Sequence, residues 1–162
     1  MKQILSALFL LSSTLVFAQN GRYDRNQPPN TVQQNFQRDN PNRNEVKWSY
    51  ENNQWRARYK DDNSRDVDDY YDRYGRRRDT HVYWQRSDMP QDLDRNIDRR
   101  YHTNGNYRVI RIERPNTEPL FQITFRSGRR DRTVYMDKDG HNRDYNDYHR
   151  DYRDNRYPND RH

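Results

Sequence analysis

The chain has 162 residues, 31 Lys or Arg against 25 Asp or Glu, a formal net charge of +6 and no cysteine. The missing cysteine excludes disulfide staples, thiolate nucleophiles and cysteine-ligated metal sites. Charge is dense but mixed, and almost every Arg has an acid close by, unlike the one-signed clusters of a strongly basic nucleic-acid binder.

Residues 1–18 read as a secretory signal peptide. Lys2 supplies the positive start, residues 4–17 are mostly apolar, and Val16 and Ala18 place small residues for cleavage after Ala18. The apolar run is too short for a membrane span of about 20 residues. The expected compartment is therefore the periplasm or the exterior. Residues 19–45 are rich in Asn, Gln and Pro and hold three apolar residues, Tyr23, Val32 and Phe36. So little apolar surface does not offset the entropy of ordering a backbone, and the segment is expected to be a disordered lead-in.

From residue 46 the apolar period is two. Val46, Trp48 and Tyr50 form a first strand, Trp55, Ala57 and Tyr59 a second, and residues 51–54 a four-residue hairpin loop between them. Residues 66–72 and 79–84 continue as a third and fourth strand. The period then changes. Met89, Leu93, Ile97 and Tyr101 make one helical stripe. Pro90 suits the first turn, Asp92 and Asp94 the positive end of the helix dipole, and Arg99 and Arg100 the negative end. Strands return at residues 107–113, 120–126 and 132–137, with residues 127–131 as a linker. Residues 141–162 carry five Arg, five Asp and four Tyr but no aliphatic residue, and are expected to be a second disordered segment.

One pattern occurs twice: an alternating strand, a polar turn, a second strand and an Asp-x-x-Gly end, at Asp72–Gly75 and at Asp137–Gly140. The predicted fold is α+β, an antiparallel sheet of two strand units packed against one main amphipathic helix. Residues 46–140 form the domain, with a strand unit over 46–84 and a helix-plus-strand unit over 88–140. In the strand over residues 107–113, Ile110 and Ile112 are expected to face the helix, leaving Tyr107, Val109 and Arg111 on the other face.

Met89-Pro90 with Leu93, Ile97 and Tyr101, then Val109-Ile110-Arg111-Ile112, Phe121-Gln122-Ile123 and the stretch Val134-Tyr135-Met136-Asp137-Lys138-Asp139-Gly140, resembles the bacterial PepSY-like, beta-lactamase-inhibitor-like periplasmic family. The resemblance covers about 90 residues. It implies two units, each a helix against a four-stranded sheet, and a non-enzymatic binding or inhibitory role. No amphipathic helix is expected before Val46, so the first unit reads as a sheet extension. No functional residue is carried over.

Candidate chemistry is sparse. Asp137-Lys138-Asp139-Gly140 invites a calcium reading, but an EF-hand loop needs Gly at its sixth position and a Glu at its twelfth, where this chain has Gly at the fourth and Tyr148 at the twelfth. A strand-ending turn explains Asp and Gly equally well. The five His have no zinc spacing, and no serine lies in a nucleophile motif. No catalytic residue, cofactor or metal ligand is therefore assigned. The partner signal is Arg with Tyr: 27 of the 31 basic residues are Arg, a residue that pairs with anions and stacks on rings. The alternative is a charged coat that keeps an aromatic core soluble. Tyr107, Arg108, Arg111, Arg129 and Arg130 are the candidate partner-binding residues, facing an unknown protein or an anionic envelope polymer.

Overall fold

The computed structural model describes residues 27–146 and residue 148. The expected signal peptide and its cleavage site lie outside the described residues, as do the start of the lead-in and most of the C-terminal segment.

Seven strands form one antiparallel sheet in chain order: β1 (Lys47–Glu51), β2 (Gln54–Lys60), β3 (Asp66–Tyr71), β4 (Arg77–Trp84), β5 (Tyr107–Glu113), β6 (Leu120–Ser127) and β7 (Arg130–Met136). The α+β class and the antiparallel order agree with the sequence pattern, but the sheet is continuous and the described residues hold two α-helices, α1 (Asn30–Asp39) and α2 (Gln91–Tyr101).

Turn chemistry sets the register. Asn52 and Asn53 both have positive φ, at 51° and 60°, and Glu51 pairs with Gln54. This is a two-residue hairpin of the kind that Asn accepts, so the expected four-residue loop is shorter by two. Likewise Ser127 pairs with Arg130, and the expected linker 127–131 shrinks to Gly128 and Arg129.

Cross-strand partners share a face of the sheet, so the register divides the side chains. One face carries Trp48, Trp55, Ala57, Tyr59, Val67, Tyr71, Val82, Val109, Phe121, Ile123, Phe125 and Met136, and both helices cover it. Under α2, the side chains of Leu93 and Ile97 meet Val109, Phe121, Ile123, Phe125 and Met136. Under α1, Val32 and Phe36 meet Trp55, Ala57, Tyr59, Val67 and Tyr71.

The helix α1 corrects the expectation of a disordered lead-in with no helix before Val46. Its composition is poor for a helix, and two side chains hold it down. Val32 is fully buried, and Phe36 sits edge-on to Trp48, Tyr59 and Tyr71 with ring centroids at 5.3, 5.5 and 6.3 Å. Tertiary burial of one aromatic outweighs weak propensity summed over the helix.

The two helices repeat one another in detail. Each follows a proline at its N-cap, Pro29 and Pro90. Val32 and Phe36 correspond to Leu93 and Ile97. Asn35 donates to the carbonyl of Gly75 at 2.8 Å, while Asn96 lies against Gly140 and Arg100 donates to the Gly140 carbonyl at 3.1 Å. Each Asp-x-x-Gly turn therefore ends a strand beneath a helix. Gly75 and Gly140 have φ of 81° and 80°, and a Cβ on Gly75 would stand 3.0 Å from the Thr31 carbonyl oxygen. Gly75→Ala is expected to lower stability by about 1–2 kcal/mol, the left-handed penalty of an L-residue, and a chemical denaturation midpoint unchanged from wild type would contradict it.

Asp69 is the buried acid of the α1 core. It accepts hydrogen bonds from Asn40 at 3.0 Å and from Tyr59 at 3.1 Å, and one from Thr80. Burial raises its pKa above the ordinary carboxylate value, and those donors together with the charge of Arg77 only partly offset that. A group whose folded pKa is raised contributes stability below its unfolded value near 3.8, and that contribution is lost as pH rises through the folded value. Asp69→Asn is therefore expected to flatten the fall in stability that Asp69 causes above pH 3.8. Melting curves collected through the mildly acidic range, with wild type and variant running parallel, would contradict this.

Candidate functional site

The face of the sheet away from the helices is built from the alternate residues. Across β2 to β6 it carries Arg56, Arg58, Tyr70, Asp68, His81, Tyr83, Ile110, Ile112, Arg108, Gln122 and Thr124. This reverses the expected orientation of β5. Tyr107, Val109 and Arg111 face the helix side, and Ile110 and Ile112 face away. An alternating strand defines two faces but not which one meets the helix; the more bulky stripe of β6, Phe121, Ile123 and Phe125, decides it. Ile112 is nonetheless 1% exposed, because a segment of the C-terminal region covers it.

That cover begins at Asn142, which bridges to Met136. The Arg143 amide donates to the Tyr135 carbonyl at 2.9 Å, and Tyr145 stacks on Tyr135 at 4.7 Å. Tyr148 lies under the guanidinium of Arg114 at 4.4 Å, and its carbonyl accepts from Arg114 at 3.2 Å. Arg114 is buried and paired with Asp79. The expected disordered tail is thus, over its first residues, a strap across one half of the face.

The other half is left open by the described residues. Arg58 holds the buried Asp68 through two bonds of 2.6 Å, and Tyr83 donates to the same carboxylate at 2.9 Å. The Asp68 carboxylate and the Tyr83 ring keep the Arg58 pKa raised. Tyr70 lies against His81 at 4.8 Å, and burial pushes the His81 pKa below its ordinary value, so this ring is neutral at pH 7. Beyond them, the loop 61–65 and the ends of β4, β5 and β6 enclose a cavity of ≈ 380 Å³. A second cavity of ≈ 390 Å³ adjoins it around Asn106, Arg126 and Asp131, and the two share Arg108 and Thr124. Together they form a groove across the end of the sheet.

The structure separates the five candidate residues. Arg108 stands between the two cavities, with its side chain 79% exposed and Asp131 at 3.7 Å. Arg129 and Arg130 are exposed at the β6–β7 turn beside that groove. Tyr107 and Arg111 are on the opposite face, although Tyr107 also lines the second cavity at the sheet end. The Tyr107 hydroxyl donates to Asp94 of α2, and Arg111 pairs with Glu113 at 2.9 Å and lies over Trp84 at 5.5 Å; both hold the fold together. Missed in the sequence were Tyr83, Ile110 and Gln122, which line the groove with Arg108 and Arg126. The alternation of β5 would have found Ile110 once its face was known.

Among the described residues, one group could offer metal ligands together: Asp137, Asp139 and His141. The Asp137 carboxylate is already committed, accepting from the amides of Asp139 and His141 at 3.0 and 2.9 Å. Asp61 and Asp72 accept the same two amides in their turns, at Asn63 and Arg65 and at Tyr74 and Arg76. Three turns with one geometry favour the structural reading of the Asp-Gly motif. In all three, partial burial opposes ionisation, but the amide donors and the basic side chain four residues on outweigh it, leaving the carboxyl pKa lowered.

The arrangement is a continuous antiparallel sheet with two helices on one face and a second face that the described residues leave half open. Solved structures share this fold. A DUF2874 family protein from Bacteroides ovatus matches with a TM-score of 0.67 at 16% identity, over 73% of this chain and 86% of that one. A BLIP-like protein from Bacteroides fragilis matches with a TM-score of 0.65 at 18% identity, over 73% and 84%. A candidate periplasmic protein from Bacteroides eggerthii matches with a TM-score of 0.66 at 13% identity, over 72% and 86%. At these identities the likeness shows the fold alone. No protein-family model matches the chain, and no curated protein matches it in sequence. No helix among the described residues is long and apolar enough to cross a membrane.

Proposed function

We propose that this chain is an exported, non-enzymatic binding or inhibitory module of the bacterial envelope, and that it holds a partner protein on the open half of its sheet. The groove at Arg108 carries the reading: a concave surface on a rigid sheet, with an exposed guanidinium at its centre, the half-buried ring of Tyr83 in its lining, and the half-buried rings of Tyr70 and His81 further along the same face. Aromatic and Arg side chains on a stiff platform are the composition of interface hot spots. The shared fold with a BLIP-like and a candidate periplasmic protein supports the inhibitory role and the compartment, and the helix repeat supports PepSY-like kinship.

A second reading is a polyanion-binding envelope protein, for polysaccharide, lipopolysaccharide or extracellular DNA. It is favoured by the exposed Arg126, Arg129 and Arg130 at one hairpin tip. Salt separates the two, because phosphate-driven binding falls steeply with ionic strength. Full-length protein is immobilised and challenged with envelope extract at low and high salt. Capture of a discrete protein that resists salt and is lost in an Arg56→Glu, Arg108→Glu variant is the expected result. Capture of polymer alone, released by salt, would overturn it.

A further inference from the structure

We propose that the groove at the end of the open face takes an extended acidic peptide segment of the partner, with one carboxylate on Arg108 and an apolar side chain against Ile110 and Tyr83. The proposal deepens the protein-binding reading and rests on it.

The charge arrangement carries the argument. Of the basic residues that line the groove, Lys60 already pairs with Asp66 at 2.8 Å and Arg65 with Asp61 at 2.7 Å. The remaining two compete for one acid: Asp131 lies 3.7 Å from Arg108 and 3.4 Å from Arg126. All three of these side chains are more than half exposed. Two guanidiniums on one carboxylate leave one positive charge over, and Arg is the side chain that takes a carboxylate through two parallel bonds. Within the groove lining the surplus is single, and Arg129 and Arg130 add positive charge only at the hairpin tip beside it. A polymer with a phosphate at every repeat needs a row of unpaired cations, and among the described residues the groove lining offers one beyond those paired with Asp61, Asp66 and Asp131. A peptide with an isolated Asp or Glu meets no such clash. The floor supplies the second half of the recognition: Ile110 and Tyr83 are half-buried with no helix of the described residues above them, a surface that an apolar side chain next to the carboxylate would cover.

Because Arg108 and Asp131 have opposite roles, two exposed substitutions should move affinity in opposite directions. A random hexapeptide phage library is selected on full-length protein, and the enriched peptides are titrated against wild type, Arg108→Ala and Asp131→Asn. The expected peptides share an acid within two residues of an apolar side chain. Their affinity should drop about tenfold in Arg108→Ala, as for loss of a charged contact, and rise in Asp131→Asn, where the competing carboxylate is gone. Unchanged circular dichroism in both variants shows that the fold is retained. No enrichment, enriched peptides without an acid, or affinity indifferent to Arg108→Ala would overturn the proposal, as would binding of polyphosphate in preference to the peptides. An envelope partner that survives Arg108→Ala but is lost in Arg56→Glu would overturn the groove while leaving the envelope-binding role intact.

Discussion

Phe36→Ala should lower the unfolding free energy by about 3–5 kcal/mol, the range for removing a buried aromatic ring. Phe36 is 2% exposed and is the one ring that α1 contributes to a cage of Trp48, Tyr59 and Tyr71. Its removal leaves a cavity under a helix whose other buried side chain is Val32. So short a helix does not persist without tertiary contacts, so the loss extends to α1 as a whole. Asn40, at its C-cap, would then release Asp69 and the Tyr59 hydroxyl. Urea unfolding followed by tryptophan fluorescence reads this directly, since Trp48 lies 5.3 Å from the deleted ring. A loss below about 1 kcal/mol would mean that α1 is dispensable. By the same reasoning a fragment of residues 46–140 lacks α1 and uncovers the aromatic floor, and it is expected to unfold at lower urea than one that begins at Pro28.

Arg114→Ala should cost about 3–5 kcal/mol, because it leaves Asp79 as an uncompensated, largely buried charge. The side chains of the pair are 1% and 15% exposed. The same guanidinium holds the strap through the ring and carbonyl of Tyr148, so the variant should also loosen Arg143, Tyr145 and Tyr148 from Tyr135 and Ile112. The double variant Arg114→Met, Asp79→Leu separates the two effects. It removes the stranded charge, and stability should recover most of the loss while Tyr148 stays undocked. Hydrogen exchange at the Arg143 amide, which is bonded to the Tyr135 carbonyl, reports the strap, and denaturant midpoints report the fold. A single variant no less stable than the double one would show that the burial of Asp79 is inconsequential.

The α2 segment was legible because three apolar residues at period four are flanked by proline, acids and arginines in the order a helix dipole favours. The α1 segment was not, although the signal was there: Pro29, Val32, Asn35 and Phe36 repeat the spacing of Pro90, Leu93, Asn96 and Ile97. Two apolar residues in a polar stretch do not register as an amphipathic stripe, and only comparison of the two segments would have found it. The groove was half legible. Arg108 could be named as a candidate, but Lys60, Tyr83 and Arg126 come from three other strands and meet it only through the register.

By itself the sequence determined the antiparallel strands, the second helix and the Asp-x-x-Gly ends, because period, proline placement and positive-φ turns are local physics. The tertiary structure decided the rest: that residues 30–39 fold over an aromatic floor, that the start of the C-terminal segment straps down Arg114, and which face of β5 stays open. Those outcomes depend on which surfaces can be buried together. An alternating strand offers two faces of similar apolar content, and the competition is settled by the bulk of its neighbours and by what lies above them.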